Sequence, residues 1–144
     1  MTDPAIPKSR LAALLAVAIL GLSLLAGCSG DRPLPTPEIT GVTLLPAEGD
    51  TPDTVLVTWK EVKDKRIEGY AIYRAEEGVG TTTGEKSEFV LEAITIALQY
   101  KDDELHVTER YPSTRYYYRI SSIAEDGRYG PMSDEASILY EPMA

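Results

Sequence analysis

The sequence predicts an all-β fold, a seven-stranded antiparallel sandwich formed by residues 38–142. Three observations predict it. Tyr116, Tyr118, Ile120 and Ser122 alternate with Tyr117, Arg119, Ser121 and Ile123, the two-residue period of a strand with one buried face. Val55, Val57 and Trp59 alternate with Leu56, Thr58 and Lys60 in the same way. Short apolar segments are separated by turn residues along the whole stretch, a spacing that suits a sandwich. No helix of consequence is expected there.

The chain opens with Lys8 and Arg10, an uncharged apolar run from Leu11 to Leu22, and small residues from Ser23 to Gly27. That order is the pattern of a secretory signal. Leu11–Gly27 is also at the short end of what spans a bilayer, so an uncleaved anchor helix is the rival reading. The stretch Leu25-Ala26-Gly27-Cys28 resembles the lipobox of bacterial lipoproteins. The resemblance implies a signal peptide over residues 1–27, a diacylglyceryl thioether on the Cys28 sulfur and cleavage before Cys28. Acylation of the freed amine, with palmitate as a typical chain, would follow in many bacteria. It implies export and attachment to the cell membrane or the outer membrane; Ser29 after the cysteine fits the enterobacterial pattern for the latter. One acyl chain anchors weakly and two or more anchor stably, at about 0.8 kcal/mol per buried CH₂. A lone cysteine is more often a small buried hydrophobe, but Cys28 lies in a Ser/Gly/Pro-rich stretch with nothing to pack against.

Residues 28–37 contain three prolines and no apolar periodicity, and read as a semi-rigid tether of roughly 25–30 Å at about 3.1 Å per residue. Ile39–Leu45 is a first strand, and Pro46–Asp53 is turn chemistry. The strand around Val57 follows, then a charged loop from Glu61 to Arg66 and a third strand from Ile67 to Arg74. Ala75–Ser87, rich in glycine and threonine, is expected to be a mobile loop. Phe89–Ile96 has Leu, Glu and Ala that suit a helix, but Val90, Ile94 and Ile96 favour a strand. Ala97–Tyr100 continues it, and Asp102-Asp103-Glu104 ends it as a solvated terminus. Glu125-Asp126-Gly127 turns the sixth strand, and Ala136, Ile138 and Tyr140 mark the last.

The composition excludes several functions. With Lys8, Arg10 and Asp3 in the leader, the remainder keeps 12 of the 14 basic and 22 of the 23 acidic residues, a net charge of −10. So acidic a chain is not expected to bind nucleic acid, which needs clustered Lys and Arg. With Cys28 committed to lipid no disulfide can form, and stability must come from packing. The length suits one domain, expected to be monomeric.

The stretch from Glu38 to Tyr140 resembles a fibronectin type III domain. The residues that carry the likeness are Val57-Thr58-Trp59, Ile67-Glu68-Gly69-Tyr70, Pro112-Ser113-Thr114-Arg115-Tyr116 leading into Tyr118-Arg119-Ile120, and Gly130-Pro131-Met132-Ser133. The resemblance implies buried Trp59, Tyr70 and Tyr116, with the Tyr116 hydroxyl bonding backbone a few residues upstream. Arg110 stands where the family has a leucine, so Leu105 or Val107 is expected to fill that pocket. No catalytic residue comes with a binding and spacing module.

The search for chemistry finds little. His106 is the only histidine, which excludes a multi-histidine metal site and leaves a Ser-His-Asp arrangement without support. Asp102-Asp103-Glu104 lacks the spaced oxygen ligands of a calcium loop. No enzyme activity, cofactor or metal is expected. Two surfaces are candidates for binding. Tyr73, Tyr117 and Arg119 should share the outer face of one sheet, with Tyr70, Ile72, Tyr116, Tyr118 and Ile120 facing inward; two tyrosines beside an arginine suit a protein or glycan ligand. The rival reading is cross-strand packing, since aromatic pairs stabilise a sheet by themselves and the stem of Arg119 can cover them. Lys60, Lys63, Lys65, Arg66 and Arg128 should gather at the end nearest the lipid and meet anionic headgroups. These features point to a membrane-anchored, non-catalytic binding or adhesion module. An envelope assembly or scaffolding lipoprotein, or a passive spacer, is the alternative.

Overall fold

The computed structural model describes residues 32–78 and 85–142. Cys28 and the leader lie outside the described residues, as do residues 79–84 of the loop expected over Ala75–Ser87. The compact domain begins at Pro33.

Eight strands form two antiparallel sheets. β1 (Ile39–Leu45), β2 (Thr54–Trp59) and β5 (Gln99–Asp102) make the first, in the order β1-β2-β5. β4 (Val90–Thr95), β3 (Ile67–Glu77) and β6 (Thr114–Ala124) make the second, with β7 (Tyr129–Met132) and β8 (Ala136–Tyr140) both on the free edge of β6. The two halves of the pattern thus face each other across one core. Val55, Val57 and Trp59 come from the first sheet, and Tyr70, Ile72, Tyr116, Tyr118, Ile120 and Tyr140 from the second. Every second residue of β2 and β6 enters that layer, as the alternation predicts. The Trp59 and Tyr70 rings meet edge to face, with centroids 5.6 Å apart.

The expected seventh strand, at Ala136–Tyr140, is β8, and the short β7 before it is an additional strand that the alternation does not predict. Pro131 has no N–H to give the ladder, and at Ser133 the side chain takes over part of the pairing. The Ile120 N–H donates to Ser133 Oγ at 2.9 Å while the Ser133 N–H donates to the Ile120 carbonyl at 2.7 Å. The chain bulges there and resumes pairing as β8, opposite Thr114–Tyr118.

Phe89–Ile96 is strand, not helix, and it parts from the segment that follows. β4 lies at the edge of the second sheet, whereas β5 joins the first. The segment expected as a mobile loop begins later than anticipated, because β3 runs on to Glu77. The tether is also shorter than expected. Leu34 and Pro37 are buried, the Ser122 hydroxyl donates to the Pro35 carbonyl at 3.0 Å, and Leu34 lies against Gly130. Two apolar side chains in the proline-rich segment find a groove along β6 and β7, so the domain starts before Glu38.

The largest departure is Asp102. Expected at a solvated strand end, it is fully buried. Arg74 Nη1 donates to its two oxygens at 2.9 and 3.0 Å, the Tyr118 hydroxyl donates at 2.7 Å, and the Glu104 N–H donates at 3.1 Å. Glu92 Oε1 stands 3.4 Å from Arg74 Nε. Strand parity explains it: Arg74 follows Tyr70 and Ile72 on the inner face, and Asp102 closes the opposite sheet across from it. Burial and the Asp102 charge together push the Tyr118 phenol far above its ordinary value.

Candidate functional site

The pairing register decides what the outer face of the second sheet presents. Tyr73 on β3 pairs with Arg119 on β6 and with Leu91 on β4, and Ala75 pairs with Tyr117. Directly paired residues share a face, and the neighbours of opposite parity (Ile72, Tyr116, Tyr118 and Ile120) are fully buried. Tyr73, Tyr117 and Arg119 therefore lie on one outer face, each half-buried.

They do not form one open patch. At the distal end of the sheet, residues 85–89 return over it after the bridge between Glu77 and Lys86. Lys86 Nζ sits 4.2 Å from the Tyr117 ring centroid and 4.9 Å from that of Phe89. The Arg119 guanidinium lies 5.1 Å from the Phe89 centroid. Such stacking of cations on rings is attractive in its own right. Glu135, in the bulge between β7 and β8, pairs with Lys86 and lies 3.9 Å from Arg119 Nη2. The Tyr117 hydroxyl donates to Glu77, a contact that pushes its pKa up to about 12. Tyr117 and Arg119 thus belong to a cation–aromatic lattice already filled by the protein's own side chains.

Tyr73 is different. Burial raises its pKa, and Tyr129 adds to the shift through charge. Leu91 on β4 pairs with it, and Leu91 and Tyr129 on β7 are 44% and 49% exposed. Ile94, paired with Ala71, and Met132, opposite Ser121, lie in the next outward-facing row toward the end where β3 begins, and Tyr129, opposite Ile123, lies one row further on. The open part of the face is therefore Tyr73, Leu91, Tyr129 and Met132, with Arg119 at its border. Lys86, Phe89, Leu91, Tyr129 and Glu135 are not signalled in the sequence. A bulge at Glu92 shifts the β3–β4 register, and it decides which β4 residues share a face with Tyr73. Alternation alone does not reveal it.

The five basic residues do gather at one end. The Glu125 N–H donates to the Arg66 carbonyl at 3.1 Å, joining the β6–β7 turn to the β2–β3 loop. Gly127, at φ +82°, permits that turn. The charge is locally balanced, however. Arg66 grips Asp64 through Nε at 3.0 Å and Nη2 at 2.7 Å, and holds the Asp64 carboxyl down to about 2. Arg128 Nε binds Asp126 at 2.7 Å and lowers its pKa likewise. Lys60, Lys63 and Lys65 are exposed, but so are Glu61, Glu68 and Glu125.

The structural residues stand where the resemblance places them. Trp59, Tyr70 and Tyr116 are buried. The His106 N–H donates to the Tyr116 hydroxyl at 2.9 Å, and the hydroxyl points back to the His106 carbonyl at 3.4 Å. Leu105 and Val107 pack against the core on either side of His106, while Arg110 turns outward over the Tyr111 ring. The His106 side chain is 46% exposed, with Nε2 3.6 Å from Glu76. Among the described residues, no group of three or more His, Cys, Asp or Glu could hold a metal ion.

No family model matches the chain, and no curated protein does. Solved structures do match. A fibronectin type III domain of the human fibronectin type III domain containing protein 3 is 21% identical, covers 81% of this chain and 94% of its own, and superposes with a TM-score of 0.51. The third fibronectin III domain of another human protein is 17% identical, covers 82% and 91%, and gives 0.53. At such identities the likeness speaks for the fold alone. The domain that begins at Pro33 has the fibronectin type III fold.

Proposed function

We propose that the chain is an exported, lipid-anchored, non-catalytic binding module that presents the outer face of its second sheet to a protein or a glycan. The lipobox-like Leu25–Cys28 supports attachment through Cys28, to the cell membrane or the outer membrane. The observation that carries the binding reading is the apolar surface around Tyr73. Leu91, Tyr129 and Met132 are each more than 40% exposed there, although the sandwich has an interior to bury such groups. Exposed apolar surface of this kind, bordered by Arg119, marks contact sites. Tyr73 and Tyr129 are rigid, amphipathic groups suited to stack on a sugar ring or to anchor a partner.

The test is a double change, Tyr73→Ser with Tyr129→Ser, in the full chain, followed by glycan-array and envelope pull-down comparison with the parent. Loss of a captured partner with the fold intact is the expected result. If melting temperature falls while every partner is retained, the tyrosines are sheet packing. If neither variant nor parent captures anything, the domain is a spacer.

A further inference from the structure

The polypeptide joins the sandwich at one pole. Arg66 Nη2 donates to the Pro33 carbonyl at 3.4 Å, and Leu34 and Pro35 then run along β7 and β6. Three connections meet at this pole: the β2–β3 loop, the β6–β7 turn and the β4–β5 turn at Ile96–Leu98. The last is fixed there because the Trp59 N–H donates to the Leu98 carbonyl at 3.2 Å, and because Thr95 pairs with Tyr70 near the start of β3. A groove of about 620 Å³ separates Ile96 and Leu98 from residues 61–65.

Ile96 is 86% exposed, more than any other large apolar residue among those described; Ile94 is 59% and Leu98 41% exposed. A β-branched side chain at the tip of a turn gains nothing for the core at that exposure. Nor does the pole offer net positive charge, since Asp64 and Asp126 neutralise Arg66 and Arg128, and Glu61, Glu68 and Glu125 stand among the lysines. Its distinguishing chemistry is a small apolar point, Ile96 and Leu98, facing long amphipathic side chains, Lys63 and Lys65, across the groove. Such side chains lay their stems on apolar material and keep the ammonium in water.

We propose that this pole rests on the lipid bilayer, with Ile96 and Leu98 entering its interface and Ile94 behind them. The proposal depends on the lipid anchor inferred above. Four residues lie between Cys28 and Pro33, so the fully extended chain reaches at most about 16–18 Å from the acylated residue to the pole. A domain held that close, by that end, keeps its exposed isoleucine within reach of the bilayer. The contact is apolar and does not require anionic lipid. It also turns the Tyr73 surface sideways, along the membrane plane, where a partner can reach it.

The test uses the full chain, made in a bacterium that processes lipoproteins and reconstituted in neutral phosphatidylcholine vesicles. Ile96→Cys and Leu98→Cys are labelled with an environment-sensitive fluorophore, and Asp50→Cys, in the β1–β2 loop at the opposite pole, is the control. Blue-shifted emission and quenching by lipid-borne spin labels at positions 96 and 98, absent at 50, is the expected result. The parent should take no label, because the sulfur of its one cysteine is held as a thioether and no free thiol remains. Water-like emission at 96 and 98 in vesicle-held protein whose parent stays unlabelled overturns this proposal alone. A parent that labels at Cys28, or protein that stays out of the vesicles, overturns the anchor and this contact with it. A shift seen only with anionic lipid means charge, not apolar insertion, and also contradicts the proposal. A shift seen only in native membranes assigns the pole to a protein partner instead.

Discussion

Arg74 and Asp102 carry opposite charges into the layer between the sheets, where an unpaired charge would be very costly. Each is compensated. Asp102 accepts from Arg74, Tyr118 and the Glu104 backbone, and Arg74 also faces Glu92, whose pKa is raised chiefly by its own burial. Asp102→Ala should therefore cost about 3–5 kcal/mol, because it strands the guanidinium. Combining Arg74→Met with Asp102→Leu should recover most of that loss, since the pair as a whole is worth little against well-packed apolar groups. Denaturant unfolding of both variants checks this, and an additive double variant would contradict it. Trp59→Ala, a large truncation in the core, should cost about 3–5 kcal/mol. Tyr116→Phe keeps the ring and gives up its link to His106, for about 0.5–1.5 kcal/mol. Native tryptophan emission near that of indole in water would refute the core position of Trp59.

At the scale of the strands, β2, β3 and β6 were legible because each buries one face and shows a two-residue period. Trp59, Tyr70 and Tyr116 follow from the same pattern. What escaped the sequence depends on partners far along the chain. Arg74 reads as the polar end of β3 until β5 brings Asp102 opposite it. Leu34 and Pro37 read as tether until β6 and β7 supply a groove. Tyr129–Met132 reads as the approach to the last strand until Ser121 and Ile123 of β6 pair with it as β7. The candidate binding face was legible only in part: parity identified Tyr73, Tyr117 and Arg119, but the bulge at Glu92 and the return of Lys86 and Phe89 decide which of them stays open. Ser133 also gives a direct prediction. Ser133→Ala leaves the buried Ile120 N–H without its acceptor, a loss of about 1–3 kcal/mol. Hydrogen exchange should show faster opening of β7 and β8 than of β2. Unchanged protection at Ile120 would mean that another acceptor takes over.

The molecule as a whole is acidic and rich in tyrosine, and both features shape its response to pH. Burial pushes Tyr100 and Tyr116 up to about 12 and Tyr118 further, and the Glu77 contact does the same for Tyr117. In the unfolded chain these phenols ionise near 10. Groups whose folded pKa is the higher one contribute fully below pH 10 and lose that contribution as pH rises toward 12. Stability should fall steeply across that interval, with phenolate absorbance appearing together with unfolding. Phenolate absorbance that develops fully while the fold persists would contradict the burial of these rings.

Where the domain works depends on Cys28. The placement of the Tyr73 surface, the contact of Ile96 with lipid and the role as an anchored module all depend on its modification. The most direct measurement is intact-mass and peptide mass spectrometry of the chain isolated from the membranes of a lipoprotein-processing bacterium. The predicted species begins at Cys28 and carries a diacylglyceryl group on sulfur. A chain that retains residues 1–27 with a free Cys28 thiol would contradict the lipid anchor and leave the apolar run Leu11–Gly27 as the means of attachment.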